Sequence, residues 1–251
     1  MSRQPIPNVL AARYASVPMT AIWAPENKVR LERQLWIAVL KAQRELGIDV
    51  PDDAVSAYEA AADDVDLASI AERELVTRHD VKARIEEFNA LAGHEHIHKG
   101  MTSRDLTENV EQLQIRQSLL LIRDKAVATL ARLAELAVQN DEVALTGRSH
   151  NVAAQMTTLG KRFATFTDEL LTAFDRLESL LDRYPLRGIK GPVGTSQDML
   201  DLVGGDAARL GELEAKVAEH LGFDRVLLSV GEVYPRSLDH EVLGALVQLA
   251  A

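Results

Sequence analysis

The chain has 251 residues, of which 47% are hydrophobic and 26% are charged, and its formal net charge is -10 at pH 7. This acidic balance argues against a nucleic-acid partner, because phosphate backbones bind basic surfaces. The absence of cysteine excludes disulfides and thiolate chemistry and fits a cytoplasmic location. No apolar run approaches the roughly 20 residues that span a bilayer, so we expect no membrane contact.

Proline placement divides the chain into regions of different expected structure. Five of the eight prolines lie in the first 51 residues, and the next one after Pro51 is Pro185. The intervening stretch is rich in Ala, Leu, Glu and Arg, which favour helices, whereas an internal proline would break one. The sequence therefore predicts long helices between these two prolines.

Two segments show the apolar spacing of long amphipathic helices. In residues 106–139 apolar side chains recur at alternating intervals of three and four, and residues 157–182 repeat the pattern. A helix as long as the first would extend on the order of 50 Å. No segment shows convincing strand alternation, although residues 225–230 could form a short extended piece. An all-α fold with helices packed as a bundle is the prediction.

Four polar loops are expected where helix-breaking residues cluster, and these are the places where chemistry could converge. They comprise residues 93–104, 141–151, 184–197 and 229–237. Beyond the last loop, an apolar pattern begins at Leu238 and continues to Ala251 without a stop signal. From this pattern we expect a helix that continues in a longer protein.

The cluster HEHIH at 94–98 raises the possibility of a metal site. Histidines at positions i, i+2 and i+4 do not share a helical face, and no carboxylate or cysteine partner follows at metal-site spacing. A solvated or hydrogen-bonding loop is the preferred interpretation, and no metal is expected.

Three further clusters permit both a structural and a functional interpretation. In HKGMTSRDLTEN, Thr102 or Ser103 could cap the long helix, or their hydroxyls could bind a carboxylate or phosphate at its N-terminus. The triplet Arg78-His79-Asp80 could bind an anion or simply begin a helix. The glycines of RGIKGPVGTSQ (187–197) permit a tight turn or close approach to a ligand.

The stretch TGRSHNVAAQMTTLGKR contains His150 among small polar residues. Ser149 or Asn151 could cap a helix that continues through the following residues, which would place His150 in its first turn. Considered alone, a single histidine in such a setting favours a structural role.

Six motifs follow one another along the chain: RYAS (13–16), TRHDVKA (77–83), HKGMTSRD (98–105), TGRSHNVAAQMTTLGKR (146–162), RGIKGPVGT (187–195) and SVGEVYPRSLDHEV (229–242). In order and spacing they closely resemble the adenylosuccinate lyases of the fumarase/aspartase superfamily. The resemblance implies an all-α protein with a small N-terminal helical domain at 1–102 and the start of a long-helix bundle domain at 103–251. It also implies a homotetramer whose active sites each take residues from three subunits, with no cofactor.

The implied reaction is β-elimination of fumarate from adenylosuccinate, which leaves AMP, and from the succinylated aminoimidazole carboxamide ribotide of purine biosynthesis. A base removes a proton next to a succinyl carboxylate, and an acid protonates the departing nitrogen. The carbanion-like intermediate needs positive groups around that carboxylate. Histidine titrates near neutrality and suits the acid.

The resemblance assigns roles to individual residues of this sequence. His150 would be the general acid, and His79 would orient substrate between Arg78 and Asp80. The implied substrate-binding residues are Arg13 and Tyr14 at the nucleotide phosphate; Thr102, Ser103 and Ser149 at carboxylates; and His98, Lys190, Thr195 and Arg236.

Two departures from the family pattern affect the expected substrate binding and the expected activity. Glu232 stands where the family has a glutamine, and an ionised carboxylate there only accepts hydrogen bonds. Either Glu232 is protonated, it pairs with a cation such as Arg236, or substrate binding is impaired. The loop that carries the family's serine base and a lysine would lie beyond residue 251, so we expect this chain alone to be inactive.

Two other functions stay open from the sequence. A lyase of the same superfamily could act on a different succinyl or amino-acid substrate, although RYAS and TRHDVKA weigh against it. Alternatively, the chain could be a non-catalytic helical assembly module, since it has bundle helices without the base.

Overall fold

The computed structural model describes residues 8–251, and this part of the chain is mostly helical, as predicted. In chain order the elements are α1 (Val9–Arg13), α2 (Val17–Ile22), α3 (Pro25–Glu45), α4 (Asp52–Ala60), α5 (Leu67–Thr77), α6 (Asp80–Ala92), α7 (Ser103–Gln139), β1 (Ala144–Ser149), β2 (Val152–Thr158), α8 (Leu159–Arg183), α9 (Gln197–Leu202), α10 (Ala207–His220) and α11 (Ser237–Ala250).

The chain forms two compact units that do not follow the chain order. One comprises the residues up to Ser118 together with Tyr184–Pro235, and the other comprises Leu119–Arg183 with Arg236–Ala251. Helix α7 begins in the first unit and ends in the second. The predicted division at residue 102 stays a prediction.

Helix α3 supplies much of the core of the first unit. Pro25 occupies its first turn, where a missing N–H is tolerated. Leu35 and Trp36 are fully buried, as are Tyr58 of α4 and Phe88 of α6, whose rings lie 4.9 Å apart. These contacts bury the apolar face that gives a helix most of its stability in a protein.

A buried ion pair joins α3 to α6. Arg33 donates to both carboxylate oxygens of Glu87 at 2.9 and 2.7 Å, and its other Nη donates to the carbonyl of Ala61 at 2.7 Å. Both side chains are almost completely excluded from solvent. Since each partner would otherwise be an uncompensated buried charge, the pair specifies how the two helices meet.

The two predicted long helices are present. Residues 106–139 lie within α7. Of the predicted segment 157–182, residues 159–182 lie within α8, whereas Thr157 and Thr158 end β2. Ion pairs tie the elements of the second unit together: Arg123 contacts Glu178 at 2.5 Å, and Arg183 contacts Glu241 at 2.5 Å. The apolar pattern from Leu238 likewise forms a helix, α11.

The expectation that a helix starts at Ser149 or Asn151 is wrong. Strands β1 and β2 form an antiparallel hairpin, in which Ser149 pairs with Val152 and α8 begins only at Leu159. His150 and Asn151 are the two turn residues, with φ of 51° and 61°. Positive φ at both central positions is what a two-residue type I′ hairpin turn requires, and asparagine adopts it readily.

The possible extended piece at 225–230 is limited to a single parallel bridge between Leu186 and Val226. It ties the segment after α8 to the segment after α10 within the first unit. Among the described residues, no helix is both long and apolar enough to cross a bilayer.

Candidate active site

Asp105 organises the polar loops of the first unit around the start of α7. Its carboxylate is fully buried and accepts the backbone N–H of Thr102 at 2.8 Å. It also accepts the N–H groups of Lys190 at 2.8 Å and Gly191 at 3.0 Å. One carboxylate thus caps the helix and fixes the glycine-rich loop against it.

Arg187 balances this carboxylate and extends the network to a third loop. Its guanidinium is fully buried, forms an ion pair with Asp105, and lies 3.2 Å from Glu108 Oε2. It also donates to the carbonyls of Gly191 at 3.1 Å and Glu232 at 3.0 Å. Three of the four predicted polar loops are therefore held together by one buried arginine and one buried aspartate.

His79 and Ser103 bring two of the predicted motifs into contact. His79 is the N-cap of α6, where its Nδ1 accepts the backbone N–H of Lys82 at 3.2 Å. The opposite ring nitrogen, Nε2, lies 3.4 Å from the hydroxyl of Ser103. Since Nδ1 is an acceptor, a neutral ring carries its proton on Nε2 and donates toward Ser103.

Asp80 belongs to a chain of charged side chains that continues through Arg84 to Glu32. Arg84 donates to Asp80 at 3.1 Å and to the buried carboxylate of Glu32 at 3.0 Å. Burial opposes ionisation of Asp80, but the backbone N–H of Val81 and the charge of Arg84 outweigh it and lower its pKa. Burial raises the pKa of Glu32 to about 7, with Arg84 counteracting. Asp80 is therefore ionised at neutral pH.

His98 lies at the start of the motif that contains Thr102 and Ser103. Its Nδ1 accepts the indole N–H of Trp36 at 3.0 Å. Burial lowers the pKa of its imidazole to about 4, and the charge of nearby His79 acts in the same direction. His98 is thus neutral at physiological pH.

Lys190 and Thr195 occupy the glycine-rich loop in different ways. The ammonium of Lys190 is nearly buried and donates to Glu214 of α10 at 2.6 Å. Burial raises the pKa of Glu214, against the hydrogen bond from Lys190. Thr195 is exposed. The backbone of Lys190, rather than its side chain, is what contacts Asp105.

In the structure the cation beside Glu232 is Arg104, not Arg236 as considered from the sequence. Its carboxylate lies 3.7 Å from Arg104 Nε and is 65% exposed. Arg236, in the second unit, lies 3.5 Å from Asp239. Glu232 is therefore a solvated, partly compensated carboxylate.

Several predicted site residues lie on the surface. Arg13 and Tyr14 are exposed at the end of α1. Arg78 is exposed and ends α5 with φ of 56°, in the left-handed region. In the second unit, Ser149 and His150 are exposed at the end of the hairpin.

The histidines of HEHIH have separate partners. His94 lies 3.9 Å from Asp53, His96 lies 3.1 Å from the ammonium of Lys99, and His98 contacts Trp36. Within residues 8–251 there is no group of three potential ligands placed to hold a metal ion.

A well-defined cleft of the first unit lies away from these motifs. It has a volume of about 410 Å³ and is lined by α3, α4, α7 and α10, including Lys41, Arg116 and His220. None of the predicted site residues lines it. Shape alone would have indicated this cleft, whereas Thr102 and Lys190 of the predicted site contact Asp105.

Sequence reasoning missed Trp36, Asp105 and Arg187 as supports of the site. Asp105 had a local signal, since an acidic residue in the first helical turn stabilises a helix N-terminus. Arg187 and Trp36 had none, because their partners are distant in sequence: 82 residues separate Arg187 from Asp105, and 62 separate Trp36 from His98.

Comparison with known proteins identifies the family. The sequence model of a lyase family, described as "Lyase", matches residues 9–220. The chain belongs to this lyase family. Solved structures support the fold: a fumarate lyase from Mesorhizobium sp. BNC1 superposes with a TM-score of 0.77 at 22% identity, covering 92% of this chain and 53% of that one. A 3-carboxy-cis,cis-muconate lactonizing enzyme from Pseudomonas putida gives 0.78 at 21% identity, covering 96% and 55%.

Curated relatives of this lyase-family chain are named adenylosuccinate lyase. The Schistosoma mansoni protein is 34% identical over 97% of this chain and 52% of its own length. The Saccharomyces cerevisiae protein is 35% identical over 96% and 51%, and the Methanothermobacter thermautotrophicus protein 33% identical over 95% and 52%. The chain spans about half the length of these relatives.

Proposed function

We propose that this chain serves adenylosuccinate lyase catalysis in the cytoplasm, as part of purine biosynthesis. The reaction is β-elimination of fumarate from adenylosuccinate, which leaves AMP, and from the succinylated aminoimidazole carboxamide ribotide. The observation that carries the proposal is the contact between the motifs TRHDVKA and HKGMTSRD through His79 and Ser103, beside the Asp105–Arg187 pair. Relatives named for this activity, at 33–35% identity over nearly the whole chain, support it.

We assign the start of α7 as the binding site of a substrate carboxylate. The hydroxyls of Thr102 and Ser103 stand at a helix N-terminus, where first-turn N–H groups have no partner within the helix. Together with the helix dipole they favour an anion. His79 would donate a hydrogen bond from Nε2 to the same carboxylate. This hydrogen bond stabilises the negative charge that develops on the carboxylate as the substrate loses its proton.

His150 is assigned to proton donation. It occupies the exposed turn of the hairpin, with one of the two paired strands on each side. An imidazolium can protonate the departing nitrogen as the C–N bond breaks. Exposure within one chain is compatible with a homotetramer in which active sites combine residues of several subunits, which is also part of the proposal.

We assign the other part of the proposed site to the half of the relatives that this chain does not match. The family's serine base is expected in a segment that these 251 residues do not match, so the proposal assigns proton removal to that segment. The chain described here would contribute substrate binding and the acid.

The test is fumarate release from adenylosuccinate, followed by ultraviolet absorbance in the full-length gene product. His150→Ala is expected to lower turnover a hundredfold or more with little change in substrate binding, because general acid catalysis contributes on that scale. His220→Ala, which changes an exposed histidine of α10 outside the six motifs, is the matched control and should retain activity.

Two results would contradict the proposal. Unchanged turnover in His150→Ala would remove the acid assignment. A wild-type enzyme that ignores adenylosuccinate but converts another succinyl or amino-acid compound in a substrate panel would replace the proposed substrate.

A further inference from the structure

Trp36 and His98 form a contact that the proposed chemistry does not yet use. Trp36 is 1% exposed in the middle of α3, and its Nε1–H donates to Nδ1 of His98 at 3.0 Å. An indole N–H can only donate, so Nδ1 of His98 must be the unprotonated nitrogen. The proton of a neutral His98 ring is therefore on Nε2.

The surroundings hold both rings in place. The indole of Trp36 stacks on Phe88 with centroids 6.1 Å apart, and the His98 ring meets it edge-on at 6.0 Å. The backbone of His98 has φ of 66°, an uncommon value outside glycine that persists only where the structure imposes it. Gly100 follows with its α-carbon packed so closely on Met199 that a Cβ would lie 3.0 Å from it.

The ring is also kept neutral. The pKa of His98 is lowered to about 4: burial is the largest cause, Asp105 opposes it, and the charge of His79 acts in the same direction as burial. Within the part of the chain that the structure describes, Nε2 of His98 has no hydrogen-bond partner and is not among the buried unpartnered atoms. Its N–H is therefore open to solvent or to a ligand.

We propose that Trp36 is a positioning residue that locks His98 as the neutral Nε2–H tautomer, so that His98 acts as a hydrogen-bond donor to an anionic oxygen of the substrate. The substrate part rests on the proposed function. Nδ1 of His79 has a different set of neighbours: it accepts the backbone N–H of Lys82 at 3.2 Å and lies 3.6 Å from the carboxylate of Asp80. In this assignment His98 donates a hydrogen bond without transferring a proton, and proton transfer is left to His150.

The tautomer is tested by ¹⁵N NMR of the histidine rings in the 251-residue chain, which needs no turnover. At pH 7 the Nδ1 resonance of His98 is expected at the position of an unprotonated nitrogen, and Nε2 at that of a protonated one. An Nδ1-protonated or charged His98 overturns the proposal, whether or not adenylosuccinate is a substrate.

Trp36→Phe removes the indole N–H and keeps an aromatic ring in the core. His98 is expected to become a mixture of tautomers, with its Nδ1 resonance shifted. Trp23→Phe is the matched control, because the indole of Trp23 donates to Ser118 instead; it should leave the His98 spectrum unchanged. An unchanged His98 spectrum in folded Trp36→Phe overturns the proposal, and if that variant does not fold, the wild-type spectrum decides.

Kinetics of the full-length gene product separate positioning from acid catalysis. Trp36→Phe should lower kcat/KM about tenfold, mostly through KM, the expected effect of one misdirected hydrogen bond to a charged group. The pH dependence of kcat should not move. A shifted pH profile of kcat with unchanged KM would mean that His98 transfers a proton, and would overturn the donor role.

Discussion

At the residue scale, the surroundings of Glu232 reduce the effect of its negative charge, which departs from the family pattern. The family resemblance leads one to expect a glutamine there. The carboxylate is 65% exposed and has Arg104 at 3.7 Å, so water and a guanidinium both offset its charge. Exposed charges interact weakly with their neighbours, which limits any repulsion of the substrate.

Glu232→Gln is expected to lower the Michaelis constant for adenylosuccinate about two- to threefold, because it removes a screened negative charge near a dianionic succinyl group. Steady-state kinetics at low and high salt would measure this, with the smaller effect at high salt. Glu219→Gln, an exposed position on α10, is the control. An unchanged Michaelis constant would show that Glu232 does not face the substrate.

Glu32 is a buried acid with an incomplete set of partners. One carboxylate oxygen pairs with Arg84, whereas Oε2 is buried without a hydrogen bond. Burial raises its pKa from 4.5 to about 7. The folded chain therefore binds a proton at Glu32 that the unfolded chain releases, and stability decreases as the pH rises from 4.5 to 7.

Glu32→Gln should remove this component of the pH dependence. We expect the free energy of unfolding of the wild-type chain to fall, relative to the variant, by about 2 kcal/mol across that pH window. Urea denaturation at intervals of pH would measure the difference. His98 contributes in the opposite direction, since its lowered pKa favours folding at higher pH, but it is the same in both chains. Parallel pH curves would contradict the assignment to Glu32.

At the scale of elements, the Asp105–Arg187 pair decides how three loops meet. Neither side chain is exposed, and each makes several hydrogen bonds to backbone groups. Buried pairs contribute little net stability compared with an apolar core, but the loss of one partner leaves the other uncompensated. The network thus sets the relative positions of the loops of the first unit.

Arg187→Met is expected to destabilise the chain by about 3–5 kcal/mol, because it leaves the fully buried Asp105 carboxylate without the guanidinium that compensates its charge. Arg132→Met, which removes an exposed i,i+3 pair with Glu135, is the control and should cost less than about 1 kcal/mol. Denaturant titration measures both. Similar values for the two variants would mean that the buried network tolerates loss of its cation.

The hairpin is the element that the sequence did not reveal. Its second strand, VAAQMTT, contains several good helix formers, and local propensity is a weak prior that context overrides. A signal was present at Asn151, because asparagine adopts the left-handed conformation of a type I′ turn. Gly147 is needed as well, since a Cβ there would lie 2.9 Å from the carbonyl of Gln155.

At the scale of the whole molecule, the chain matches about half the length of relatives named adenylosuccinate lyase. Its helices form two compact units, and α7 belongs to both. In the proposed function, the active site also takes residues from the half of these relatives that the chain does not match. Assembly and activity are separate properties that can be measured independently.

The isolated 251-residue chain is expected to show no fumarate release with adenylosuccinate, because the proposed base lies in the half of the relatives that it does not match. Absorbance assays would measure turnover, and light scattering would measure assembly in the same samples. Where the gene encodes a longer product, that product is the positive control. Turnover by the pure 251-residue chain would contradict the assignment of the base.

The sequence by itself determined the two long helices, the order of the six motifs and the family to which the chain belongs. These features depend on periodicity and on residue identity, which are local properties. Only the tertiary structure decided the hairpin at His150, the cation beside Glu232, the Asp105–Arg187 network and the tautomer of His98. Each of these depends on which partner reaches a polar atom, and that partner can be 82 residues away in the chain. Local sequence patterns do not identify the partner of a buried polar atom, because that partner comes within reach only when the core has formed.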